Sequence, residues 1–87
     1  MKETIITLND QQEYYVLEEI NQYQKKYLLL AKYHKEIQEI ENNNFIIGKL
    51  KMENNNLIID NIQNQEEAEL ITQLFLNKMK MNQKKEV

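Results

Sequence analysis

With 87 residues the chain holds one domain at most, near the size at which a single core yields only a few kcal/mol of net stability. Its 41% apolar and 29% charged content is that of a folded body with a strongly polar surface, and the formal charge of −3 argues against a nucleic-acid binder. The absence of cysteine excludes disulfides, thiolate chemistry and cysteine-type zinc sites, and fits a reducing cytoplasm.

In chain order, Thr4-Ile5-Ile6-Thr7-Leu8 is rich in β-branched residues and runs into the turn-favouring pair Asn9-Asp10, which predicts a strand and a turn. Glu13–Ile20 and Lys26–Tyr33 are aromatic, β-branched or leucine-rich and are separated by the polar segment 21–25, a pattern for two strands joined as a hairpin. His34–Asn44 is polar apart from Ile37 and Ile40, and reads as a loop with one or two helical turns. Phe45–Met52 places Ile46, Leu50 and Met52 on one face, with Gly48 among them where another part of the chain can approach closely. Asn54-Asn55-Asn56 then turns the chain into Leu57–Ile62, a second hairpin.

The clearest local signal is the last. Asn64 followed by Glu67 matches a capping pattern, and Glu66, Glu67 and Glu69 favour the positive helix start. Ala68, Ile71, Leu74, Phe75 and Met79 recur at three- and four-residue spacing, which puts them on one core-facing stripe. The expected fold is therefore α+β, an antiparallel sheet of four to five strands in two hairpins with one C-terminal helix packed on one face. Its expected extent is 1–80, with 81–87 as a flexible lysine-rich tail. A competing pattern runs through Val16, Ile20, Tyr23, Tyr27, Leu30, His34 and Ile37, which fall on a coiled-coil seam. On that alternative residues 10–42 are one helix and the protein is a homomeric scaffold. The contiguous apolar runs Tyr14–Leu17 and Tyr27–Ala31 stand against it, because a narrow seam leaves them partly exposed.

The carriers of a family resemblance are Ile5–Asp10, Glu13-Tyr14-Tyr15-Val16-Leu17, Lys26-Tyr27-Leu28-Leu29-Leu30, Leu57–Ile62, and Glu66–Leu70 with Phe75. In their order and type these segments resemble the YrzB-like family, small proteins of unknown function found largely in low-GC Gram-positive bacteria and their wall-less relatives. Heavy use of Asn, Ile, Lys and Tyr, with no Arg, Ser, Pro or Trp, agrees with a low-GC bacterial genome. The resemblance implies an antiparallel sheet with a C-terminal helix, and no catalytic, cofactor or metal residue.

The residue inventory points the same way. Nucleophilic catalysis needs a nucleophile held beside a base, yet Ser and Cys are absent and His34 is the one histidine. One histidine cannot build a zinc or iron site, and one glycine cannot build a phosphate-binding loop. Glu18 and Glu19 point to opposite faces if they lie on a strand, and Glu66-Glu67 is explained by the helix start. No cofactor, metal or small-molecule substrate is expected. Met1-Lys2-Glu3-Thr4 lacks an apolar signal segment, and no run reaches the roughly 18 apolar residues of a membrane span.

Binding remains. One helix covers one sheet face, yet several strands carry apolar side chains on both faces. The expected interface is the second face, drawn from Tyr15, Leu17, Tyr27, Phe45 and Ile47, with another protein or a second copy of the chain as partner. On the competing view the sheet curls and residues 34–44 cover that face, with Ile37 and Ile40 as its lid. The other candidate surface is the basic cluster Lys78, Lys80, Lys84 and Lys85, suited to RNA or a ribosome; helix-end dipole matching and solubility explain it as well.

Overall fold

The computed structural model describes residues 2–84, apart from the side chains of residues 42, 43 and 81–84. Five strands, β1 (Ile5–Thr7), β2 (Glu13–Gln22), β3 (Lys25–His34), β4 (Glu39–Glu53) and β5 (Asn56–Asp60), precede one helix, α1 (Gln65–Lys84). The strands form a single antiparallel sheet in the order β1-β2-β3-β4-β5, so each strand pairs with its neighbours in sequence. This is the α+β fold expected, and the long-helix alternative over 10–42 is excluded because β2, β3 and the start of β4, with the turns between them, occupy those residues.

Turn chemistry explains the meander. Tyr23 and Gln24 (φ 53° and 60°) and Asn54 and Asn55 (φ 50° and 67°) each supply two consecutive left-handed residues, the backbone a two-residue hairpin requires. Asparagine tolerates that region well; tyrosine and glutamine do so at a cost that long ladders on either side offset. The expected loop at 34–44 is a third hairpin. His34 ends β3, residues 35–38 turn, and β4 begins at Glu39 and pairs straight back, His34 opposite Glu39 and Tyr33 opposite Ile40.

The sheet curls on itself. Beyond β1 the Asn9 N–H donates to the carbonyl of Leu57 in β5 at 3.0 Å, joining the two ends of the sheet. Inside the curl lie Ile6, Tyr14, Val16, Leu28 and Leu30, with Leu8, Leu50, Leu57 and Ile59 packed against them. Gly48 faces Leu28 across the ladder; a Cβ there would meet the Ile59 side chain and stand 2.7 Å from the Asp60 carbonyl oxygen. The close approach anticipated at this glycine is thus made by β5 as it wraps over β4.

The outer face carries the helix. The Asn64 side-chain oxygen accepts from the Glu67 N–H at 3.0 Å, the cap read from the sequence, and α1 then lays Ile71 and Phe75 on Ile20, Tyr27 and Leu29. A bulge at Leu17 allows β2 to serve both layers: Val16 pairs with Leu30 inside, whereas Glu18 pairs with Leu29 and Ile20 with Tyr27 under the helix. Because β3 lies between the curl and α1, Tyr27 to Leu30 are buried, and the small Ala31, between Tyr15 and Phe45 in the ladder, is buried as well.

Candidate interaction surface

The outer face is wider than α1. Strand pairing places Ile5 opposite Tyr15, Tyr15 opposite Ala31, and Ala31 opposite Phe45, so these four residues form one row across β1, β2, β3 and β4. The next row contains Thr7 opposite Glu13 and Tyr33 opposite Ile40. Ile5 and Phe45 keep 45% and 49% of their surface in solvent, large values for an isoleucine and a phenylalanine in paired strands. Tyr15, Tyr33 and Ile40 are half-buried and, with Ile5, Gln38 and Glu39, line an open groove of about 710 Å³.

Of the residues expected at an interface, Tyr15 and Phe45 lie on this surface. Tyr27 does not: it has no exposed surface and is packed under Ile71 and Phe75. Leu17 and Ile47 also pack against the helix-covered cluster. The placement of these five residues on the face away from the helix is corrected, since that face is the inside of the curl and all five belong to the helix side or its bulge. The lid reading is corrected as well. Ile40 is a strand residue paired with Tyr33, and Ile37 at the hairpin tip is 62% exposed.

Sequence reasoning missed Ile5, Tyr33 and Ile40. Period-two alternation places Ile5 outward once Ile6 is inward, but Tyr33 and Ile40 join the groove only through a hairpin that a polar segment disguised.

Two polar networks fasten the covered half. Glu18 is only 3% exposed, and its carboxylate meets Lys2 and Lys78, each at 3.1 Å. Burial pushes this carboxyl up, yet hydrogen bonds from Lys2 and Lys78 outweigh it and hold the group below its ordinary value. Lys78 also donates to the Glu19 carbonyl at 2.6 Å, fixing the second half of α1 to β2. At the other end the Tyr27 hydroxyl donates to Glu67, whose other oxygen lies 3.5 Å from Lys49. Burial, then this bond to a carboxylate, pushes the Tyr27 hydroxyl up to about 12. Glu67 is held low by the same bond.

The basic cluster is less available than its sequence suggests. Lys78 is engaged with Glu18, Lys80 is exposed, α1 continues through Lys84, and the Lys84 side chain and all of Lys85 lie outside the described residues. Lys49 and Lys51 line a polar cleft near the helix start but are offset by Glu67 and by Asp60, the latter 2.5 Å from Lys51. His34 stands at the end of β3 with Nε2 2.9 Å from Glu41. Among the described residues no three His, Asp or Glu side chains are grouped so as to hold a metal ion, and no helix is long and apolar enough to cross a membrane.

Residues 9–80 match the sequence profile of a family described as proteins of unknown function (DUF1292). No curated protein and no solved structure gives a significant match.

Proposed function

The chain belongs to the DUF1292 family of proteins of unknown function, and within it we propose a non-catalytic, YrzB-like accessory module of the bacterial cytoplasm that docks another protein on the outer sheet face beyond α1. The observation that carries this reading is the row Ile5, Tyr15, Ala31, Phe45, apolar across four strands and left outside the helix-covered cluster. Phe45 and Ile5 are each nearly half exposed, so folding of this chain alone gains little from them, whereas a partner that covers them removes apolar area from water at about 25 cal/mol per Å². Tyr15 and Tyr33 suit a surface that is wet when free and dry when occupied, since the ring buries well and the hydroxyl keeps a polar contact. The non-catalytic part of the reading rests on residue types: no Ser, no Cys and one His.

The basic-cluster reading has less support, because Lys78, the lysine nearest the sheet, is held by Glu18. The test is a pair of variants, Phe45→Ser and Tyr15→Ser, compared with wild type for capture of partners from native extract and for thermal stability. The expected result is lost capture with a melting temperature within a few degrees of wild type. Unchanged capture by Phe45→Ser counts decisively against the surface.

A further inference from the structure

Resting on that docking surface, we infer its mode and the chemistry of its occupant: an extended, lysine- or arginine-bearing segment of a partner protein that adds as a sixth strand along the free edge of β1. Backbone parity sets up the edge. The Thr4 carbonyl accepts from Val16 N–H at 2.8 Å and the Leu8 N–H donates to Gln12 at 3.1 Å, so even-numbered residues here turn their backbone groups toward β2. Odd-numbered residues from Ile5 on turn the other way, as Asn9 does in reaching Leu57 at 3.0 Å; Glu3, at φ 65°, lies before this alternation and donates to the Val16 carbonyl at 2.8 Å.

In a five-strand meander β1 and β5 run parallel, and Leu57 is the second residue of β5. Ile5 and Thr7 precede Asn9, so they lie alongside the β4–β5 turn and not alongside β5 itself. Their outward N–H and C=O groups therefore face a place where the sheet offers no strand. Of the usual protections of an edge, β1 has the short length but neither a charge nor a proline in Ile5-Ile6-Thr7. Strand addition satisfies such an edge through main-chain hydrogen bonds, while alternate side chains of the added strand give specificity.

The neighbouring side chains state what those alternate positions need. On the outer face, the added residue beside Ile5 meets the apolar row of Tyr15 and Phe45, and the added residue beside Thr7 meets Glu13, which stands opposite Thr7 in the ladder. Glu39 lines the same groove. Neither Glu13 nor Glu39 has a cation within ion-pair distance among the described residues, whereas Glu18, Glu19, Glu67 and Asp60 do. The pattern that fits is an apolar residue and a cation two positions apart. A second copy of this chain does not supply it, since Thr4 to Leu8 carries no cation and Lys2 is bound to Glu18.

The probe is an octapeptide of alternating lysine and valine, with alternating glutamate and valine as its control, titrated into the full chain at low salt. Amide shifts report binding, and hydrogen exchange at Ile5 and Thr7 reports the edge. Thr7→Pro removes one outward N–H that the sheet does not use, which an edge strand tolerates; Thr7→Val keeps it. Circular dichroism verifies the fold of each variant. The lysine peptide is expected to bind at least about tenfold tighter than the glutamate peptide, to slow exchange at Ile5 and Thr7, and to lose about tenfold with Thr7→Pro or Glu13→Gln but not with Thr7→Val.

Equal binding of both peptides overturns the inference. So does lysine-peptide binding that Phe45→Ser abolishes and Thr7→Pro leaves intact; the docking surface then survives without strand addition. Binding indifferent to both variants removes the docking surface as well. A concentration-dependent dimer with Ile5 and Thr7 amides protected before any peptide is added assigns the edge to a second copy instead.

Discussion

The two halves of the sheet's outer face are built from the same residue types and meet opposite fates. Under α1, Tyr27, Leu29 and Ile20 are sealed by Ile71 and Phe75 and fastened at both ends by charge-assisted bonds through Glu67 and Glu18. Beyond α1, Ile5 and Phe45 are nearly half exposed, and the half-buried Tyr15 and Tyr33 line an open groove. What divides them is where a helix anchored at Asn64 crosses, since Ile71 and Phe75 reach Leu29 but not the Ala31 row. An apolar residue on a strand thus becomes core or surface according to an element 40 positions away in the chain, as the Tyr27–Glu67 bond shows.

Two phenylalanines test the division most strongly. Phe75→Ala empties a fully buried site and is expected to cost about 3–5 kcal/mol, most of the stability of a domain this small. Phe45→Ala removes a ring already half in solvent, and its expected cost is within about 1 kcal/mol. Urea unfolding of both variants measures the contrast directly. Comparable losses at the two positions would mean that the outer row is core and that the comparison is wrong.

Most of the architecture was readable in the sequence, and the parts that were not share a cause. The strands, the Asn64 cap, the helix stripe and the close approach at Gly48 follow from local pattern. The hairpin formed by His34 and Tyr33 with Glu39 and Ile40 did not, because the segment between them is mostly polar; Glu39 and Ile40 look like loop residues until His34 and Tyr33 are seen opposite. Tyr27 was assigned to a surface because alternation separates two faces without saying which one a helix covers. The bulge at Leu17 was equally silent: Tyr14, Val16, Glu18 and Ile20 are all buried with perfect alternation, yet the first two lie inside the curl and the last two outside it.

Glu18 sharpens the comparison at the next level of effect. Its carboxyl is held below the ordinary range by Lys2 and Lys78, so its contribution to stability is fully present above the unfolded-state carboxyl value and is lost as pH falls through the lower folded-state value. Glu18→Gln keeps the shape and removes the charge. Its expected cost is about 2 kcal/mol at pH 7, shrinking toward zero in acid, and the wild-type loss of stability as pH falls below the ordinary carboxyl range should flatten. Glu13→Gln, in the uncovered half and with no cation in ion-pair distance among the described residues, should cost little stability at pH 7. Parallel pH profiles for wild type and Glu18→Gln would show that α1 is not held through this carboxylate.

The smallest effect belongs to the other fastening of α1. Tyr27→Phe deletes the hydroxyl that Glu67 accepts from while leaving the ring buried, and Glu67 keeps Lys49 and its N–H bond to the Asn64 cap. The expected cost is about 1 kcal/mol, or about 4–8 °C in melting temperature for a domain of this size. The same hydroxyl gives an independent reading at high pH. With its folded-state value pushed up to about 12, the stabilising contribution is complete below the unfolded-state value near 10 and is lost as pH rises through the folded one. Ultraviolet titration should therefore show one tyrosine ionising last, and that step should vanish in Tyr27→Phe. If the late step persists in the variant, another tyrosine carries it, and the covered half is not closed by Tyr27 and Glu67.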